Sequence, residues 1–205
     1  MSRRRSLPQL ERAITRCREC PELRDYCADV GRAKRKAYEA WTYWARPVSG
    51  FGDHAAPILI VGLAPAAHGA NRTGRIFTGD RSGDFLYAAL HRAGLANQAE
   101  AVSRDDGLEL EDVYITAACR CAPPANKPTA AQLDRCRPWL EREIETLEPR
   151  VLFCLGGIGW NAAMKTLAAL GRPVPRPRPA FGHGVVVEIG AVSYTHLTLP
   201  TTRLV

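Results

Sequence analysis

Long hydrophobic runs are missing from this chain of 205 residues. None approaches the ~20 apolar residues that a membrane-spanning helix needs. The opening residues, MSRRRSLPQLERAITRC, are basic but have no apolar centre of the kind a signal peptide carries, so a cytoplasmic location and no membrane partner are expected. There are no internal repeats. Two nucleotide-binding signatures are also lacking. A P-loop needs Gly-Lys-Ser/Thr after its spacer, whereas Gly74 is followed by Arg75-Ile76. The dinucleotide fingerprint G-x-G-x-x-G fails because Gly62 is followed by Leu63-Ala64-Pro65.

Acidic residues are in deficit, with 21 Asp+Glu against 28 Lys+Arg and a pI near 9.2. A basic protein suits an acidic partner, and nucleic acid is the usual one. The hydrophobic share of 46% is enough for a packed core, and the length suits one domain.

The chain alternates between strand and helix signals. A helical stretch is read over 8–40, ending where Pro47, Gly50 and Gly52 break the pattern. Apolar runs bounded by turn residues predict strands over 57–63, 113–118, 151–155 and 185–189. Helices are predicted over 84–93, with Asp80 or Ser82 as N-cap, over 129–147, with Thr129 as cap, and over 156–169. The proline-rich stretch 172–179 is a stiff basic connector. The repeated strand–loop–helix order predicts a parallel α/β sheet covered on both faces. Ligands in such folds gather at the carboxyl ends of strands.

At the end of the first such strand stands GLAPAAHGANRTGRIFTGDRSG, residues 62–83. With the phosphate-binding readings gone, what remains is an aromatic, Phe77, beside one carboxylate, Asp80, and donors in His68, Asn71 and Arg75. A ring face with polar edge contacts suits a planar heterocycle. Taken singly, Phe77 reads as core and Asp80 as a helix cap. Together on one strand-end loop they point to a site.

The seven cysteines are an odd number, and a reducing compartment disfavours a disulfide framework. Cys17-Arg-Glu-Cys20 forms one pair, and Cys121 and Cys136, with 14 residues between them, form another. Four thiolates from opposite ends of the chain can surround a metal; zinc and an iron–sulfur cluster both remain open on spacing alone. Cys154 reads as core, Cys119 as facing away from Cys121, and Cys27 as the spare best placed to replace a ligand.

The loop 62–83, the segment RCAPPANKPT (120–129), YWARPVSGFGD (43–53) and the four spaced cysteines together resemble the family-five (type B) uracil-DNA glycosylases. The likeness runs from about Cys17 to about Gly190. It implies a three-layer α/β/α fold around a mostly parallel four-stranded sheet and a [4Fe–4S] cluster on Cys17, Cys20, Cys121 and Cys136. It also implies hydrolysis of the N-glycosidic bond of uracil and other deaminated bases in single- or double-stranded DNA, by a monomeric, nucleoid-associated enzyme. In that frame Asp80 positions water and offsets charge on the sugar, His68 and Arg75 are donors to the departing base, and Phe77 stacks on it. Asn71 and the backbone of Gly62, Ala64 and Pro65 complete the base contacts. No lysine stands in the loop, so no strand-cleaving lyase activity is expected.

Two positions depart from the family pattern. Ala117 stands where many relatives carry a polar residue. Residues 191–205, AVSYTHLTLPTTRLV, lack the family's His-Pro-Ser segment, since His196 is followed by Leu197-Thr198. The 1–190 stretch is therefore read as the domain and 191–205 as an atypical tail foreign to the family, with His196 given no catalytic role. A non-catalytic iron–sulfur DNA-binding protein is the competing reading, and a zinc-stabilised nucleotide-binding module a weaker one.

Overall fold

The computed structural model describes residues 6–190 and 192–197, without the side chains of His196 and Leu197. The helical stretch read over 8–40 resolves into α1 (Leu7–Ile14) and α2 (Pro21–Ala33), followed by a 3-10 turn at Lys36–Tyr38. The break falls at the Cys17–Cys20 turn. Pro21 starts α2, where a residue without an N–H leaves no donor stranded.

A six-stranded sheet follows, with β1 (Phe51–Gly52), β2 (Ile58–Gly62), β3 (Val113–Ala117), β4 (Val151–Leu155), β5 (Val186–Ile189) and β6 (Val192–Leu197) in the order β1-β3-β2-β4-β6-β5. Strands β3, β2, β4 and β6 are parallel, and β1 and β5 are antiparallel edges. Four parallel strands are thus present, but the fourth is not the one predicted. The 185–189 run forms edge strand β5, and residues 192–197, assigned to the tail by sequence, take the parallel place beside β4. Gly190, at φ +65°, lets the chain reverse between them. Residues 198–205 lie outside the described residues.

Between the strands run α3 (Ala70–Thr73), α4 (Arg81–Arg92), α5 (Ala130–Leu147) and α6 (Gly156–Ala169). Side-chain alternation along β2 explains the layers. Leu59 and Val61 meet Leu10 and Ile14 of α1, Leu140 of α5 and Trp160 of α6 on one face. Ile60 faces the other way, onto Ile76 and onto Leu86, Tyr87 and Leu90 of α4. The result is the three-layer α/β/α arrangement that the resemblance implied. Irregular residues 172–179 cross the α6 side, where Trp160 Nε1 donates to the Pro179 carbonyl at 2.8 Å.

The winding changes direction at β2. Its following helix α4 covers one face on the way to β3, and α5 covers the opposite face on the way from β3 to β4. Connections leaving to opposite sides open a crevice at the carboxyl end of the strand between them. That end is Gly62, and residues 62–83 fill the crevice mouth.

Candidate active site

A cavity of about 300 Å³ lies over this end of the sheet. Its walls are Ala66, Ala67, His68 and Gly69 from the loop, Gly79, Asp80 and Arg81 from the head of α4, Arg35 and Tyr38 from the segment after α2, and Asn126 from the 3-10 turn Pro124–Asn126. The two expected catalytic side chains, His68 and Asp80, therefore share one cavity.

Asp80 is the N-cap of α4, with Oδ1 accepting from the Gly83 N–H at 3.1 Å. The capping and the functional readings hold together: the cap fixes the carboxylate while its other oxygen, Oδ2, lies against Gly69, where a Cβ would come within 2.5 Å of it. Burial pushes the Asp80 carboxyl above its ordinary value, against the pull of the Gly83 and Ser82 amides. His68 moves the other way. Burial, with the Arg35 and Arg72 cations near it, lowers its pKa below 6.5, so the imidazole is neutral at physiological pH. Tyr43 Oη lies 3.0 Å from His68 Nδ1, and the two rings meet edge to face. When Tyr43 donates to Nδ1, Nε2 carries the proton and is a neutral donor.

Phe77 takes a left-handed backbone conformation, φ +52°, and lays its ring on the end of β2, where a Cβ on Gly62 would meet it at 2.6 Å. Gly62 offers an open surface to that ring, and its carbonyl accepts from Ala118 N at 2.9 Å. Pro65 is buried and Ala64 packs on the cysteine-rich cluster below the loop.

Two expected base contacts have other partners. Arg75 is 3% exposed; its Nε donates to Thr78 Oγ1, and its Nη1 and Nη2 both donate to Asp106 at 2.7 Å. Asn71 is fully buried, and its Nδ2 donates to the carbonyls of Cys27 and Ala67 at 3.3 Å. Neither side chain reaches the cavity. Arg75 ties the loop to the 98–110 connection, and Asn71 ties α3 to α2. Sequence reasoning singled out neither Tyr43 nor Asn126 for the site, although both lie within the quoted family segments.

The cysteines converge. Cys20 and Cys27 of the α2 region, Cys119 and Cys121 after β3, and Cys136 of α5 form one buried cluster, with half-exposed Cys17 beside Cys20. Cys119 belongs to it, contrary to the expectation that it faces away from Cys121; two residues apart in an extended segment, the two share a face. The pleat ends at Ala117, after which Ala118 N and Cys119 N bond the Gly62 and Leu63 carbonyls. Hydrogen bonding to Cys119, with the Arg120 N–H and the Arg120 and Arg135 charges, lowers Cys136 to about 6, and burial next to Cys136 raises Cys20 to about 11. Arg120, between Cys119 and Cys121 in the chain, is itself buried and paired with Glu143 of α5 at 2.5 Å. Among the described residues no three potential ligands stand in metal-binding geometry. The donor chemistry nonetheless fits a thiophilic centre: an all-sulfur set on three separate segments, every cysteine free, with carbonyl and guanidinium partners around it. Cys154 lies apart in the core of β4, as expected.

A model of the uracil DNA glycosylase superfamily matches residues 49–202. The chain belongs to that superfamily. Within it, the chain is 50% identical over 188 residues to a type-5 uracil-DNA glycosylase of Mycobacterium tuberculosis, covering 91% of this chain and 69% of the relative. The type-5 enzyme of Thermus thermophilus is 53% identical over 152 residues, 74% of this chain and 68% of its own. A type-4 uracil-DNA glycosylase of Archaeoglobus fulgidus is more distant, 31% identical over 152 residues, 74% of this chain and 60% of its own. The superfamily match runs through β6, so the stretch 192–197 falls inside it.

Proposed function

We propose that this chain is a DNA-repair glycosylase that hydrolyses the N-glycosidic bond of uracil and other deaminated bases in DNA, working as a nucleoid-associated monomer. One observation carries the reading: a carboxylate with a raised pKa and a neutral histidine face one cavity at the sheet's switch point.

The nucleotide enters by leaving the stack, at a cost of a few kcal/mol. In this reading Phe77, whose ring lies against Gly62 at the strand end, stacks on the base and recovers part of that loss. The C1′–N bond then breaks with its electron pair leaving on the base. Asp80, ionised, offsets positive charge building on the sugar and orients water; the water oxygen adds to C1′ and its proton passes to the carboxylate. His68 Nε2–H donates to the base oxygen on which negative charge collects. Among the described residues that line the cavity none is a lysine, which supports a monofunctional reaction without strand cleavage. No described helix is long and apolar enough to cross a membrane. Exposed arginines in 32–36 and 172–178 offer phosphate contacts; those at 3–5 lie outside the described residues.

The same reading gives Cys17, Cys20, Cys121 and Cys136 to a [4Fe–4S] cluster, which when bound would cross-link the α2 region, the end of β3 and α5 and supply no electron to the hydrolysis. Ala64 and Ala67 of the catalytic loop pack on this cluster of cysteines, so its integrity bears on the site above it.

The test is a single-turnover assay on a labelled duplex with one uracil opposite guanine, read after alkali and again without it. Alkali-dependent cleavage at the uracil is the expected result. Cleavage without alkali would refute the monofunctional mechanism, and intact DNA with folded, DNA-binding protein would favour the non-catalytic reading. Substituting hypoxanthine for uracil then sets the substrate range.

A further inference from the structure

Arg72 is 5% exposed and does not line the cavity, yet it bonds the backbone at or beside both catalytic candidates. Its Nε donates to the His68 carbonyl at 2.8 Å and its Nη2 to the Gly79 carbonyl at 3.2 Å. His68 is one catalytic candidate, and Gly79 immediately precedes the other, Asp80. A rigid planar fork between these two carbonyls sets the spacing of the two chain segments that carry them. The guanidinium is in turn clamped between rings: its carbon lies 3.9 Å from the Tyr38 centroid and 4.2 Å from that of Trp41. The clamp is anchored to the same turn, since Trp44 N bonds the Arg72 carbonyl at 2.9 Å and Ala45 N the Asn71 carbonyl at 3.0 Å. Gly79 completes the device. Its φ is +81° and a Cβ there would stand 2.5 Å from Arg72 Nη2, so only glycine admits the fork.

We propose that Arg72, sandwiched by Tyr38 and Trp41, is a positioning residue for base excision: it fixes His68 against Asp80 without touching DNA. This rests on the roles of His68 and Asp80 set out above. A displacement of about 1 Å at reacting groups costs about 10²-fold in rate. Binding of the DNA backbone, which depends on exposed cations, is untouched by a buried one.

Three variants test the assignment. In Arg72→Met the fork and its charge are gone; the single-turnover rate is expected to fall about 10²-fold, with the Kd for uracil-containing duplex within about threefold of wild type. Arg72→Lys keeps charge but serves one carbonyl at a time, and its loss is expected to be smaller, about tenfold. Trp41→Leu leaves the guanidinium in place and removes one ring of the clamp without altering a residue that lines the cavity, for a loss of about three- to tenfold. This variant guards against an Arg72→Met protein that fails to fold.

A readout independent of cleavage is the NMR titration of the His68 ring. The charged or titratable groups facing it are Arg35 and Tyr43 from the segment before β1, Arg72 from α3, and Asp80 and Arg81 from the head of α4. Removing the Arg72 cation is expected to raise the His68 pKa. An unmoved titration, an unchanged rate in folded Arg72→Met, or a rate loss matched by an equal loss of DNA affinity would each overturn the proposal. Wild-type protein that leaves uracil in place would instead refute the glycosylase reading, and the titration would still decide on Arg72.

Discussion

Arg75 grips Asp106 with both arms of its guanidinium, at 2.7 Å each, while Asp106 also accepts from the backbone N–H groups of Val102, Ser103 and Leu108. Burial alone would raise the Asp106 carboxyl, but the Arg75 fork and these amides together hold it well below the usual carboxylate range. Two long loops on neighbouring connections are thereby locked to each other.

Asp106→Ala leaves a buried guanidinium without its counter-charge. Stripping one partner from such a pair costs about 3–5 kcal/mol, which for a chain of this size lowers Tm by roughly 6–20 °C. Thermal melts at neutral pH check it. The pH dependence has a definite sign. A carboxyl depressed in the folded state contributes stability that is present above its unfolded pKa and is lost as pH falls through the folded one. The gap between wild type and Asp106→Ala should therefore be full at pH 7 and shrink once the pH drops below about 4.

Asp80 separates capping from chemistry. Asparagine is as good an N-cap as aspartate, so Asp80→Asn should keep α4 and the melting temperature while losing the carboxylate charge. A loss of about 10²–10⁴ in single-turnover rate is expected. In wild type the rate should fall on the acid side with an apparent pKa above the ordinary carboxylate value of 3.8, because burial favours the protonated form. A pH profile of single-turnover rates measures this, and a flat acid limb would remove Asp80 from the mechanism.

The cysteine assignment makes an analytical prediction. Serine at Cys20, Cys121 or Cys136 should yield protein without iron and without brown colour. Cys154→Ser, in the core of β4, should keep both. Cys27→Ser discriminates more finely, since Cys27 bonds the Ala122 carbonyl and sits against Cys121. Retained iron there supports the four-ligand set; lost iron makes Cys27 a ligand. Iron per chain and visible absorbance decide each case.

Much of this was legible in the sequence because it is written in local chemistry. Ile58 to Val61 is apolar without alternation because both faces of β2 are covered, and Asp80 and Thr129 cap the helices that follow them. What was not legible depends on long-range partners. Arg75 and Asn71 look like ligand donors until Asp106 and the Cys27 carbonyl are seen to occupy them, 31 and 44 residues away. Cys119 was misplaced although residues two apart in an extended segment share a face, which sets it beside Cys121. The strand at 192–197 was missed for a different reason: the stretch was set aside as a foreign tail, whereas it lies paired between β4 and β5. Val192, Tyr194 and Thr195 favour a strand locally, and pairing with β4 and β5 fixes its register.

Gly62 gives the sharpest steric test of the site. Its φ is not in the left-handed region, so Gly62→Ala introduces no backbone strain, and only the space matters. The new methyl would stand 2.6 Å from the tip of the Phe77 ring and the ring must move. If Phe77 serves as the platform for the extruded base, the displacement should lower the single-turnover rate about ten- to 10²-fold while affinity for undamaged duplex stays unchanged. Phe77→Leu removes the ring and with it the clash. The double variant should then be no worse than Phe77→Leu alone, a non-additivity expected of two residues in contact. Additive losses would mean that Gly62 acts directly, through the approach of its backbone to the base, and that the ring has no part in the reaction.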